Sequence, residues 1–139
     1  MAQVLGASLS AAAAAILLCG GAAQAFECQA LVSSEYTHMQ QQSKLSQEAG
    51  ERAKALRVKA QEQKRSLSPG ERDQAIQEIR QACSSTTLAY LSMRMLQWSL
   101  ESPDCAKHPE RGDAPKLNDP IKTMAQHLQT ICGPQDWLR

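Results

Sequence analysis

Five cysteines stand at positions 19, 28, 83, 105 and 132, and their pairing constrains the fold of this chain more than any other feature. In an oxidising compartment cysteines pair, so an odd number asks which one is left over. The N-terminus answers. Residues 1–26 contain no Asp, Glu, Lys or Arg. The run "AAAAAILLC" ends at Cys19 and falls short of the ~20 apolar residues of a transmembrane helix. "GGAAQA" follows, with Ala23, Gln24 and Ala25 forming an A-x-A site. This is the pattern of a signal peptide over 1–25, cleaved after Ala25, although "MAQVLGAS" ahead of it carries no basic residue. Cleavage removes Cys19 and leaves Cys28, Cys83, Cys105 and Cys132. Two disulfides are then expected in an exported domain, periplasmic or secreted, with no stable membrane insertion. The rival reading is a lipoprotein anchored through Cys19. Such signals carry a small residue before the cysteine, and Leu18 stands there.

The remaining 26–139 suffices for one small domain. Its aromatic residues are Phe26, Tyr36, Tyr90, Trp98 and Trp137, a thin supply for a core, which gains from crosslinks. Strand signals are sparse, and good helix formers (Gln, Glu, Ala, Lys, Arg, Leu, Met) dominate. The expected fold is all-α: a small disulfide-stapled bundle of about three helices, a long hairpin plus a shorter C-terminal helix. The first helix is expected over about 27–65. Its apolar positions are Leu31, Val32, Tyr36 and Met39, then Leu45, Ala49, Ala53, Leu56 and Ala60 in steps of three and four. Gly50 is a candidate kink.

The sharpest local signal is "SLSPGERDQ". Ser68 with Glu71 three residues later forms a capping box, and Pro69 takes the first helical position, where its missing N–H does no harm. A second helix over 69–100 follows, with Ile76, Ile79, Cys83, Thr86, Tyr90 and Met93 on one face. "LAYLSMRMLQWSL" (88–100) carries a second stripe of Leu88, Leu91, Met95 and Trp98. Such a segment is buried from two sides or presents a binding surface. Four prolines and Gly112 make 101–120 an irregular loop. Asn118 or Asp119 is expected to cap a third helix, with Pro120 at its first position and Ile121, Met124, Ala125, Leu128 and Ile131 as its stripe. That helix is expected to cover part of the 88–98 stripe. Gly133-Pro134 stops it, and Trp137 and Leu138 fold back.

Four cysteines allow three pairings. An antiparallel turn near 66–68 brings Cys28 level with about Cys105, and a second reversal through 101–120 brings Cys132 near Cys83. Cys28–Cys105 and Cys83–Cys132 are therefore favoured.

Catalytic chemistry finds little support. "CAKH" sets Cys105 and His108 at a spacing two metal ligands can share, but no second pair follows and Cys105 has a disulfide to make. His38 reads as a surface residue on a polar helix and His127 as a stripe-edge residue. There is no G-x-S-x-G, H-E-x-x-H, phosphate loop or EF-hand series. Neither a metal nor another cofactor is expected. A formal net charge of +1 gives nucleic acid no evident handle.

"LSPGERDQAIQEIRQ" (67–81) resembles the L-S/T-x-x-x-R helix starts of Spy-like periplasmic chaperones, which implies an exported, client-binding helical protein. In architecture the chain is also similar to exported helical immunity proteins and secretin pilotins. The function expected is non-enzymatic binding of another protein, as an immunity, chaperone or secretion-assembly factor, through Leu88, Leu91, Met95 and Trp98, with a homodimer as one form. A small-molecule or metal carrier using the loop and bundle core is the alternative, and an enzyme of unknown type the third.

Overall fold

The computed structural model describes residues 9–138, with side chains over 27–138. Three α-helices form the bundle: α1 (Leu9–Glu62), α2 (Pro69–Glu101) and α3 (Asn118–Cys132). Two disulfides staple it, Cys28–Cys105 and Cys83–Cys132, the favoured pairing. They fit an oxidising environment of the kind exported proteins meet. No helix among the described residues is long and apolar enough to cross a membrane. Of the expected signal peptide, 1–8 lie outside the described residues.

α1 begins well before the expected Glu27. The stretch upstream contains no charge and is rich in alanine, the residue type with the highest helix propensity, and the helix continues through Ala25 and Phe26. Gly50 does not break it, and the helix is continuous through that position. α1 stops three residues earlier than expected, in a Schellman turn. Arg65 N–H reaches Ala60 O (3.1 Å) and Lys64 N–H reaches Gln61 O (3.0 Å). Lys64 takes the left-handed position (φ 49°) that glycine usually fills. Ser68 and Glu71 then form the reciprocal capping box, with Pro69 opening α2.

The hairpin closes along a seam of small residues. Ala75, Ala82, Ala89 and Leu96 recur every seventh residue on α2, and Ser46, Ala53 and Ala60 do so on α1; all are buried. A seven-residue repeat is the coiled-coil period, and small side chains at the contact let two helices approach closely. Polar pairs fix the antiparallel register: Ser46 with Thr86, His38 Nδ1 with Ser92 Oγ at 2.7 Å, Arg52 with Glu78 at 2.9 Å and Lys59 with Glu71 at 3.9 Å. The larger apolar side chains gather at the open end of the hairpin. Val32, Leu96 and Leu100 cluster there with Ala114 around the Cys28–Cys105 bridge, and Leu117 packs against them.

Several expected core positions lie elsewhere. Leu31, Tyr36 and Leu45 are exposed, because the seam takes the neighbouring Val32 and Ser46 instead. On α2, Thr86 and Met93 are buried, while Ile76, Ile79, Cys83 and Tyr90 are half-buried. The expected irregular loop is two 3-10 segments, Pro103–Cys105 and Pro109–Leu117. Each starts on a proline behind a capping side chain. Ser102 Oγ accepts from Asp104 N–H (3.2 Å), and His108 Nδ1 from Glu110 N–H (3.2 Å). Arg111 donates to Ser102 O (2.8 Å) and Glu101 O (3.3 Å), closing the end of α2. Neither Asn118 nor Asp119 caps α3, whose first turn has no side-chain cap. The Asn118 amide oxygen accepts instead from Gln97 Nε2 at 2.7 Å. α3 stops at Gly133, where a Cβ would lie 2.6 Å from Gln129 O. The chain then folds back, with Arg57 over the Trp137 ring at 5.6 Å.

Candidate functional site

Three rows along α2, each stepping by seven residues, place its neighbours. Ile76, Cys83, Tyr90 and Gln97 form one row. Cys83 is bridged to Cys132, and Gln97 bonds Asn118 and Ala114 O, so this row faces α3 and its approach. Glu78, Ser85, Ser92 and Ser99 form the row on the other side of the alanine seam. Arg52 and His38 of α1 reach two of its members. Outside this second row lie Leu88 and Met95, and one step further round Leu91 and Trp98.

All four are open to solvent. Leu88 is 40 %, Leu91 50 %, Met95 43 % and Trp98 64 % exposed. α3 covers none of the stripe, contrary to expectation, because the Cys83–Cys132 bridge and the Gln97–Asn118 bond hold it against the opposite flank of α2. Leu31 and Leu45 of α1 recur with His38 and Arg52 at seven-residue intervals, share the flank that adjoins this face, and are exposed too. The face therefore has aliphatic and aromatic positions from both helices, with the His38–Ser92 pair between them. Its backbone is helical and fully bonded, so what it offers a partner is apolar surface and shape.

His38 and His108 have structural partners that sequence reading missed. His38 is half-buried, bonded to Ser92, with Gln42 Nε2 3.4 Å from its other ring nitrogen. No signal in the polar stretch around it announces that cross-helix bond. His108 Nε2 meets Gln29 Oε1 at 2.8 Å and ties the 3-10 segment to α1. Its neighbour Cys105 is buried in a disulfide, so "CAKH" is a junction between elements. Among the described residues no three His, Cys, Asp or Glu side chains gather as metal ligands.

A second surface feature lies on the α3 side. A cleft of about 880 Å³ runs between α1, α2 and α3, with Ala89, Met93, Met124 and Ile131 among its walls and Lys54 and Asp119 on its rim. Sequence reading did not find it, since its lining comes from three helices whose relative placement depends on the disulfides. No family model, no curated protein and no solved structure matches the chain, so the resemblance of 67–81 to chaperone helix starts has no support beyond its capping box.

Proposed function

We propose that this chain is an exported, non-enzymatic domain that binds another protein through the outer face of α2, after removal of 1–25. The observation that carries the reading is the simultaneous exposure of Leu88, Leu91, Met95 and Trp98 on a helix bridged to α3 at its middle through Cys83 and followed by a 3-10 segment bridged to α1 through Cys105. Contiguous apolar surface of this kind marks interaction sites on soluble proteins. Trp is the residue most enriched at binding hot spots, and Met adapts to varied partner shapes. The role fits a periplasmic or secreted immunity, chaperone or assembly factor. Nucleic acid is not the proposed partner.

The test compares three versions of the oxidised protein: parent, Leu91→Asp and Trp98→Ala. Each is immobilised and exposed to the exported fraction of its own source, while light scattering follows self-association. The expected result is a protein retained by the parent in high salt and lost by both variants, which melt as the parent does. A dimer that both variants dissolve would make the partner a second copy. Identical retention by all three, with no self-association, would overturn the proposal.

A further inference from the structure

The cleft on the α3 side is built to stay open. α3 is fixed to α2 near one end by Cys83–Cys132 and near the other by Gln97–Asn118, and it packs on α2 while barely reaching α1. It is strongly amphipathic, yet only Ile121 of its apolar stripe is buried; Met124, Ala125, Leu128 and Ile131 are half-buried. The floor asks for no polar ligand. Ser46 and Thr86, the buried hydroxyls of its lining, bond each other and Ala82 O, and the less buried Ser43 and Thr123 complete the hydroxyls that line it. About 880 Å³ lies within the range of small-molecule sites, and Met93 and Met124 can adjust to a flexible chain.

The charges at its two ends differ. At the end nearest the hairpin turn, the cleft runs into a smaller one of about 210 Å³ with which it shares Gly50, Lys54 and Ile131, and which Arg57 also lines. Lys54 and Arg57 are thus the cations there. Glu51, the carboxylate beside them, accepts from Gln47 Nε2 at 3.1 Å. Asp119 lies at the other end, next to Pro120.

We propose that this cleft binds a single-chain anionic amphiphile, its alkyl tail along Ala89, Met93 and Met124 and its head at Lys54 and Arg57, away from Asp119. The carboxylate of a fatty acid and the phosphate of an alkyl phosphate share the chemistry required. The site is independent of the α2 face described above.

Calorimetric titration of the oxidised protein tests it. Dodecanoate, dodecyl phosphate and dodecyltrimethylammonium are each used below their micellar concentrations. Saturable one-to-one binding of an anion is expected, with the ammonium probe at least about tenfold weaker. Comparing the two anions tells which head is preferred. Lys54→Glu should weaken anion binding by about tenfold, and Met124→Trp, which fills the cleft, should abolish it. Thr123→Trp, at an exposed cleft position, replaces Met124→Trp if that variant melts early. Leu91→Asp should leave the titration unchanged. Absence of saturable binding would overturn the proposal, as would equal affinity for the ammonium probe. So would loss of binding in Leu91→Asp alone, which would place the chain on the α2 face.

Discussion

Glu71 is the most heavily engaged carboxylate at the hairpin turn. Arg65 grips it with two N–H···O bonds of 2.6 and 2.8 Å, and Ser68 N–H and Oγ each reach Oε2 at 3.0 Å. The Arg65 guanidinium first, and then the two Ser68 donors, hold its carboxyl well below the usual carboxylate range. All of these bonds favour the charged form. A carboxylate depressed in the folded state contributes stability that is present above its unfolded value, near pH 4, and is lost as the pH falls towards the folded one. Glu71→Gln should therefore melt below the parent at pH 7, with the gap narrowing as the pH is lowered from 4 to 2. Melting curves across that range check it, and a gap independent of pH would contradict the account. This residue was legible in sequence because a capping box is local, Ser68 and Glu71 being three apart. His38 was not, because its partner Ser92 lies 54 residues away.

A helix in such a bundle has faces with different duties, and α2 separates them within a few residues. Leu96 is 5 % exposed and belongs to the cluster around Cys28–Cys105. Leu96→Ala should cost about 2–5 kcal/mol, as buried large-to-small changes do. Trp98, two residues on, points out, so Trp98→Ala should change stability by no more than ~0.5 kcal/mol, the usual range for surface sites. Chemical denaturation of the two variants gives the comparison directly. Equal losses would mean that Trp98 is core and that the outer face of α2 is no surface at all. The bounds of α2 were readable because proline and a capping box open it and Ser102-Pro103 closes it. The stripe of Leu88, Leu91, Met95 and Trp98 was readable as a row. Its exposure was not, since that depends on which flank α3 takes, and Cys83 settles this through a bond to Cys132. The alanine seam was misread in part. Apolar periodicity draws the eye to Leu31 and Leu45, whereas close helix packing favoured Ser46 and its small neighbours.

At the scale of the whole molecule, the two bridges compensate for a core built largely of alanine and serine. They span 77 and 49 residues, and loop-closure entropy assigns about 4 kcal/mol to each, comparable with the total stability of many domains. The hairpin topology and the pairing were both accessible from sequence, because one capped turn and one proline-rich reversal bring the four cysteines level two by two. The cleft between the helices was not, because nothing local encodes the gap between α1 and α3. The order of the bridges has a further effect. Cys83 lies inside the loop closed by Cys28 and Cys105, and Cys132 lies outside it, so the two loops interlock along the chain. Any single backbone cut between Cys28 and Cys132 then leaves one covalent molecule. Lys64 and Arg65 in the turn between α1 and α2 are open to trypsin. Brief digestion should give two bands on a reducing gel and one on a non-reducing gel, with the helical signal largely kept. Separation into two pieces without reductant would mean that Cys28 is bonded to none of the three cysteines beyond the cut. A protein of this construction outlasts its first proteolytic cut, and its lifetime among extracytoplasmic proteases is set by the second.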